Sequence, residues 1–326
     1  MEIIKYSEKY YEKWNKFCLE DSVNGTFLQT KRFLNYHPKE RFKDDSILFI
    51  EKGNIIAVCP GCCVLNEKDK IYYSHQGSTY GGLIVHPKYY KTERLFELID
   101  CFEMYLIKER YTKTILKITP DILCTENSEL LQFCLTQKKY MQELYLNTYI
   151  DFDHYKDNVA SNFDQGRRRN VNECIKRGLS TRAINKQEEI EEFYTLLCNT
   201  LSKYDRLPVH TLDEMLVLKN EILKDEVGFF GTYMENRMVG GAMMFYFKKT
   251  KCAHSQYLAA DPELQKLSPM SFVYYSMIEQ AKSAGYKYIS WGISSNHDES
   301  INYGLTRTKE SYGSFHALNR IFVKML

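Results

Sequence analysis

Residues 161–179 read SNFDQGRRRNVNECIKRGL. Between Ser161 and Lys186 there are seven Lys/Arg and two Asp/Glu, a local net charge of +5, whereas the whole chain of 326 residues carries only +2. The remainder is therefore net acidic by three charges, and the basic cluster is a localised feature rather than a general property. Val171, Cys174 and Ile175 fall at helical spacing and predict a short buried stripe. At about 100° per residue, Arg169, Glu173, Lys176 and Arg177 lie opposite that stripe. Arg167 and Arg168 fall beside it, one turn earlier. The outward set reads as a solvated face. Two guanidiniums at the margin of a buried face suit an anionic group, because the Arg fork matches phosphate and carboxylate. Gly178 is placed to end the helix in a left-handed conformation.

Outward from this helix, the chain is long for one domain, and two of roughly 150 residues are expected. Hydrophobic residues make up 44% and charged residues 26%, ordinary values for a soluble globular protein. Aromatics are high at 14%, with 26 Tyr, which predicts half-wet surfaces. The N-terminal stretch has no long apolar run and does not read as a signal peptide or anchor. No stretch reaches the length of a membrane span. The ten Cys are scattered apart from Cys59, Cys62 and Cys63, and no second CxxC or HxxxH completes a metal site. Reduced thiols and a cytoplasmic location are expected.

Strand signals begin near 47 and 227, each opening a hairpin. Long helical periods begin near 92 and 269, and short strands follow near 115 and 287. The offsets of 180, 177 and 172 residues predict a duplicated α/β (α+β) unit, with mostly antiparallel mixed sheets flanked by helices. The boundary is placed at 152/153, giving domains 1–152 and 153–326 with a cleft between them. Glu188–Tyr204 and Leu212–Lys224 read as helices, and Ile55–Leu65 as one strand. Gly304 and Gly313 bracket a segment that reads as a loop or short turn.

The order of elements resembles tandem GNAT (N-acyltransferase) proteins, and specifically the Fem-type peptidyltransferases and their relatives in polysaccharide clusters. Arg168-Arg169-Asn170-Val171, Cys174, Lys176 and Gly178-Leu179 are similar to the basic helix that opens the family's second domain. Trp291-Gly292 ends the strand after the second long helix. Residues 304–313, GLTRTKESYG, are similar to a family segment with a lysine at the position of Lys309; Thr308 stands where the family has an aromatic residue. The stretch Ser74-His75-Gln76-Gly77-Ser78-Thr79-Tyr80-Gly81-Gly82 also resembles polysaccharide-cluster members.

The resemblance implies attack of an amine on an ester or thioester carbonyl. Lys309 is then the expected electrophilic group, with Tyr257 and His254 as candidate proton relays; either of these also fits a core residue with one satisfied hydrogen bond. Arg167, Arg168, Arg307, Trp291, His75, Gln76, Thr79 and Tyr80 are the candidate substrate-binding residues. No tightly bound cofactor or metal is expected. Acetyl-CoA users have a glycine-rich turn before the long helix, but here it reads Gln265-Lys266-Leu267-Ser268-Pro269-Met270, without glycine and with a proline that offers no N–H to a phosphate. The donor is thus aminoacyl-tRNA or a differently bound acyl-CoA. The acceptor is an amine of a cell-wall or surface-polysaccharide precursor, such as a glycan or nucleotide sugar. A non-catalytic double-GNAT module that binds tRNA or another polyanion is the reading from a different class. The sequence leaves the oligomeric state open.

Overall fold

The computed structural model describes residues 1–326 apart from Lys39, Asn127, Tyr204 and His297. Chain contacts divide it into two compact units: Met1–Tyr145 together with Leu318–Leu326, and Leu146–Ala317. The second half thus begins seven residues before the sequence-based boundary, and the last nine residues group with the first unit.

In the first unit, strand β1 (Glu2–Lys5) is followed by helices α1 (Tyr11–Lys16) and α2 (Lys31–Leu34). Strands β2 (Ile47–Glu51), β3 (Asn54–Cys59), β4 (Cys62–Leu65), β5 (Lys70–Tyr73) and β6 (Ile84–Val85) come next. Helix α3 (Thr92–Lys108), strand β7 (Lys113–Lys117) and helix α4 (Glu129–Gln137) complete the run. Leu95, Leu98, Ile99, Phe102 and Leu106 are fully buried along α3, a spacing of three and four that puts one face of the helix into the core. β5 and β7 pair in parallel across α3, Ile71–Tyr73 against Lys113–Ile115. The expected single strand 55–65 is two, because Pro60 has no N–H for a ladder and the chain bends between Cys59 and Cys62.

The second unit takes up the chain within β8 (Met141–Asp151) and continues through α5 (Gln165–Lys176), β9 (Ser180–Ile184), α6 (Gln187–Ser202) and α7 (Leu212–Val217). A one-turn π-helix at Leu218–Ile222 and a 3-10 turn at Lys224–Glu226 replace the second half of the helix expected to reach Lys224. The end expected for α6, Tyr204, lies outside the described residues. Strands β10 (Val227–Met234), β11 (Arg237–Phe247) and β12 (Cys252–Ala260) lead to α8 (Pro269–Ser283), β13 (Tyr288–Ile293), α9 (Tyr303–Glu310) and β14 (Phe315–Met325). β9 to β12 are successively antiparallel, and β12 and β13 pair in parallel across α8. This repeats the β5–α3–β7 arrangement, so the matched offsets correspond to matched connections.

Residues 304–313 are helical rather than a loop. Asn302 accepts from the Leu305 amide (3.0 Å) and caps the helix, Thr306 and Lys309 turn inward at a spacing of three, and Gly313, with φ of 77°, stops it.

Candidate active site

β12 and β13 run together for only three residues, Cys252–His254 against Tyr288–Ser290. Beyond Ser290 a bulge shifts the register of β13, whose next residues pair with β8, Gly292 opposite Thr148 and Ile293 opposite Asn147. β12 meanwhile continues beside β11 to Ala260. The two strands therefore part at His254 and Ser290, and the chemistry-bearing groups gather at that point.

Gly292 has φ of 72°, a conformation that suits glycine, and a Cβ there would stand 3.4 Å from His254 Cε1. The imidazole thus lies against bare backbone. Its Nδ1 shares a hydrogen bond with Ser290 Oγ (3.1 Å), which also accepts from the Gly292 amide (3.3 Å). Lys309 Nζ donates to the carbonyls of Gly292 (3.0 Å) and Ile293 (2.8 Å). The Lys309 side chain is only 3% exposed. Burial without a carboxylate partner pushes its pKa down to about 7. Burial and the Lys309 charge together push His254 down to about 4, so the imidazole is neutral near pH 7. An ammonium has three N–H donors, and two are taken by carbonyls; the third is left for a ligand oxygen.

The other expected site residues fall differently. Tyr257, also on β12, accepts at its hydroxyl from the amides of Val209 (3.1 Å) and His210 (3.3 Å) and bonds His210 Nδ1 (2.8 Å), so this hydroxyl anchors the segment before α7. Trp291 is a core residue, 4% exposed, with its ring 4.8 Å from Tyr274, though its Nε1 has no partner among the described residues. Arg167 does not face outward to an anion. It donates from Nε to Ser311 Oγ (2.9 Å) and from a terminal nitrogen to Ser271 Oγ (3.4 Å), and stacks 5.4 Å from the Tyr312 ring centre. It ties α5 to α8 and α9. Arg168 and Arg307 are exposed. Ile175, expected in the buried stripe, is 50% exposed, because the stripe narrows to Val171 and Cys174 where α5 meets α8. His75, Gln76, Thr79 and Tyr80 belong to the first unit. There His75 and Tyr80 are buried, while Gln76 and Thr79 are exposed.

Sequence reasoning missed Ser290 and Asn147. Asn147 is fully buried opposite Ile293, with neither amide atom partnered among the described residues. The only signal for this region was the glycine inside a strand at 292.

The turn before α8 is occupied by the protein itself. Ser268 is left-handed (φ 57°), Pro269 opens the helix, and Cys174 Sγ donates to the Leu267 carbonyl (3.3 Å). The adjoining hollow, about 720 Å³, sets Glu173 and Glu263 against Arg177 and Lys266 and offers no net positive charge. Among the described residues, no group of three His, Cys, Asp or Glu is placed to hold a metal ion, and no helix is long and apolar enough to cross a membrane.

Comparison with known proteins bears on the fold. Residues 165–300 match the acetyltransferase (GNAT) domain family. The fold is similar to FemX, with a TM-score of 0.73 at 14% identity over 100% of this chain and 98% of that one. It is also similar to L-PGS from Bacillus licheniformis (TM-score 0.63, 11% identity, 97% of this chain and 91% of that one). A tandem GNAT protein from the clavulanic acid pathway gives a TM-score of 0.57 at 8% identity, covering 99% and 98%. Among curated proteins, none matches this sequence. The expected tandem-GNAT, Fem-like α/β fold is thereby borne out.

Proposed function

We propose, from a chain with the tandem-GNAT fold whose second half carries the GNAT acetyltransferase match, that the protein transfers an acyl or aminoacyl group to an amine of a cell-wall or surface-polysaccharide precursor. The observation that carries this reading is Lys309: a nearly inaccessible ammonium, fixed by two carbonyls at the point where β12 and β13 part, with a neutral imidazole beside the same glycine.

In such a transfer the amine nitrogen attacks the ester or thioester carbonyl. A C–N bond forms and the carbonyl electron pair moves onto oxygen. The C–O or C–S bond then breaks, the leaving group keeps the pair and takes up a proton, and the amine loses one. The third N–H of Lys309 suits the oxyanion, where a preorganised donor acts mainly in the transition state. His254, neutral near pH 7, is the group able to receive the amine proton, with Ser290 fixing its ring. A guanidinium at 309 would not fit two converging carbonyls in the same way, since its fork is planar.

An aminoacyl ester is the favoured donor. α5, through Cys174 and Arg167, covers the start of α8, and Pro269 supplies no N–H there, which supports a donor other than CoA. The likeness to FemX supports the same choice.

The test is a transfer assay with purified protein, charged tRNA or acyl-CoA as donor, and amino-sugar nucleotides as acceptors, read by mass spectrometry. The expected result is a donor-dependent gain of one acyl or aminoacyl mass on the acceptor amine. Tight tRNA binding with no product for any donor would make the chain a binding module instead.

A further inference from the structure

The first unit holds a counterpart of the parted strands, and its contents differ. β5 and β7 pair for three residues, Ile71–Tyr73 against Lys113–Ile115, just as β12 and β13 do. Counting two residues past the last pair reaches Gly292 in the second unit and Lys117 in the first. There the turn from His75 to Tyr80 fills the gap, and the chain rejoins β7 where Gly81 bridges Ile118. Gly77 is required in this turn, since a Cβ would overlap His37 Nε2 and the Phe42 ring.

Lys117 extends into this turn. Its Nζ donates to the Ser78 carbonyl (2.6 Å) and lies 5.3 Å from the centre of the Tyr73 ring. Two of its three N–H donors remain. Burial lowers its pKa to about 8, and the Cys62 thiol is the titratable group that opposes this. Asp44, which lies 3.9 Å from His75, is taken by the buried Lys31 (2.7 Å), which Ser46 also holds (2.9 Å). Burial keeps His75 uncharged, with its pKa near 3. A half-buried ammonium without an ion-pair partner is costly to the fold. The acceptor it does have, the Ser78 carbonyl, is joined by one peptide bond to Thr79, which like Gln76 is an exposed residue of the same turn.

We propose that Lys117, with Thr79 and Gln76, forms a binding site in the first unit for a ligand that carries a carboxylate. Lys117 offers one positive charge, carried on a single ammonium. That matches a single negative charge shared over two oxygens better than a phosphate dianion. The site lies wholly within the first unit and stands whether or not the second unit transfers acyl groups.

Protein labelled with ¹³C at lysine Cε tests it. Lys117→Gln identifies the Lys117 resonance by its loss; should that variant fail to fold, Lys117→Arg identifies the same resonance. Acetate, glucuronate, phosphate and chloride are titrated at constant ionic strength. The expected result is a saturable shift of the Lys117 resonance with acetate and glucuronate, at least tenfold tighter than with chloride and tighter than with phosphate. Small, unsaturable shifts shared by all lysines would overturn the site, as would phosphate binding more tightly than the carboxylates.

Discussion

His254 and Lys309 give the second unit a pH signature of one sign. His254 is held at about 4 in the fold against an ordinary 6.5, so between those values the unfolded chain binds more protons. Stability therefore falls as pH drops from 6.5 towards 4. Lys309, at about 7 against 10.5, acts the same way at higher pH, and stability climbs between 7 and about 10. For His254→Gln we expect the melting temperature to gain on the wild type as pH is lowered from 7 to 4.5. A gap between the two proteins that stays constant over that range would contradict the neutral imidazole. Arg167 and Arg168 separate just as clearly. Arg167→Gln loses the bonds to Ser311 and Ser271 and the stack on Tyr312, and should destabilise by about 1–3 kcal/mol in chemical denaturation. Arg168→Gln, at an exposed position, should stay within about 0.5 kcal/mol of wild type. None of this was legible in the sequence, where the two arginines are neighbours with the same charge. What distinguishes them is a pair of serines 104 and 144 residues away from Arg167.

At the scale of elements, α5 was legible as a helix and its end at Gly178 followed from glycine chemistry, but its seat was not. The seat of α5 on the start of α8 is the contact on which the proposed choice of an aminoacyl donor rests. Calorimetry should show free CoA binding weakly or not at all. A low-micromolar CoA complex displaced by acetyl-CoA would show that α5 leaves the turn at Leu267–Pro269 open. α9 is the opposite case. Two glycines suggested a loop, and the reading overlooked Asn302 as a cap and the inward spacing of Thr306 and Lys309. A buried lysine has no signature in sequence, because lysine is almost always exposed; only the family resemblance singled out residue 309.

At the scale of the molecule, the duplicated order could be read from spacing alone, because hairpin, long helix and strand impose their lengths on any sequence that forms them. The placement of the C-terminus could not. Residues 318–326 group with the first unit: Ile321–Met325 pair with β7, and Phe322 is fully buried in that unit's core. Phe322→Ala should cost about 3–5 kcal/mol. Removing residues 318–326 should abolish cooperative unfolding of the first unit's core, as followed by hydrogen exchange along α3. Unchanged protection of α3 in the truncated chain would contradict the assignment.

The central claim is that Lys309 acts on the transition state of an acyl transfer, and steady-state kinetics of Lys309→Ala with the donor and acceptor found by the transfer assay test it most directly. The account predicts kcat lower by roughly 10²-fold or more with KM little changed, little rescue by Lys309→Arg, and a wild-type rate that falls as pH rises through about 7, where the third N–H is lost. Normal kcat with raised KM in the alanine variant, or a wild-type rate that rises through pH 7, would contradict it.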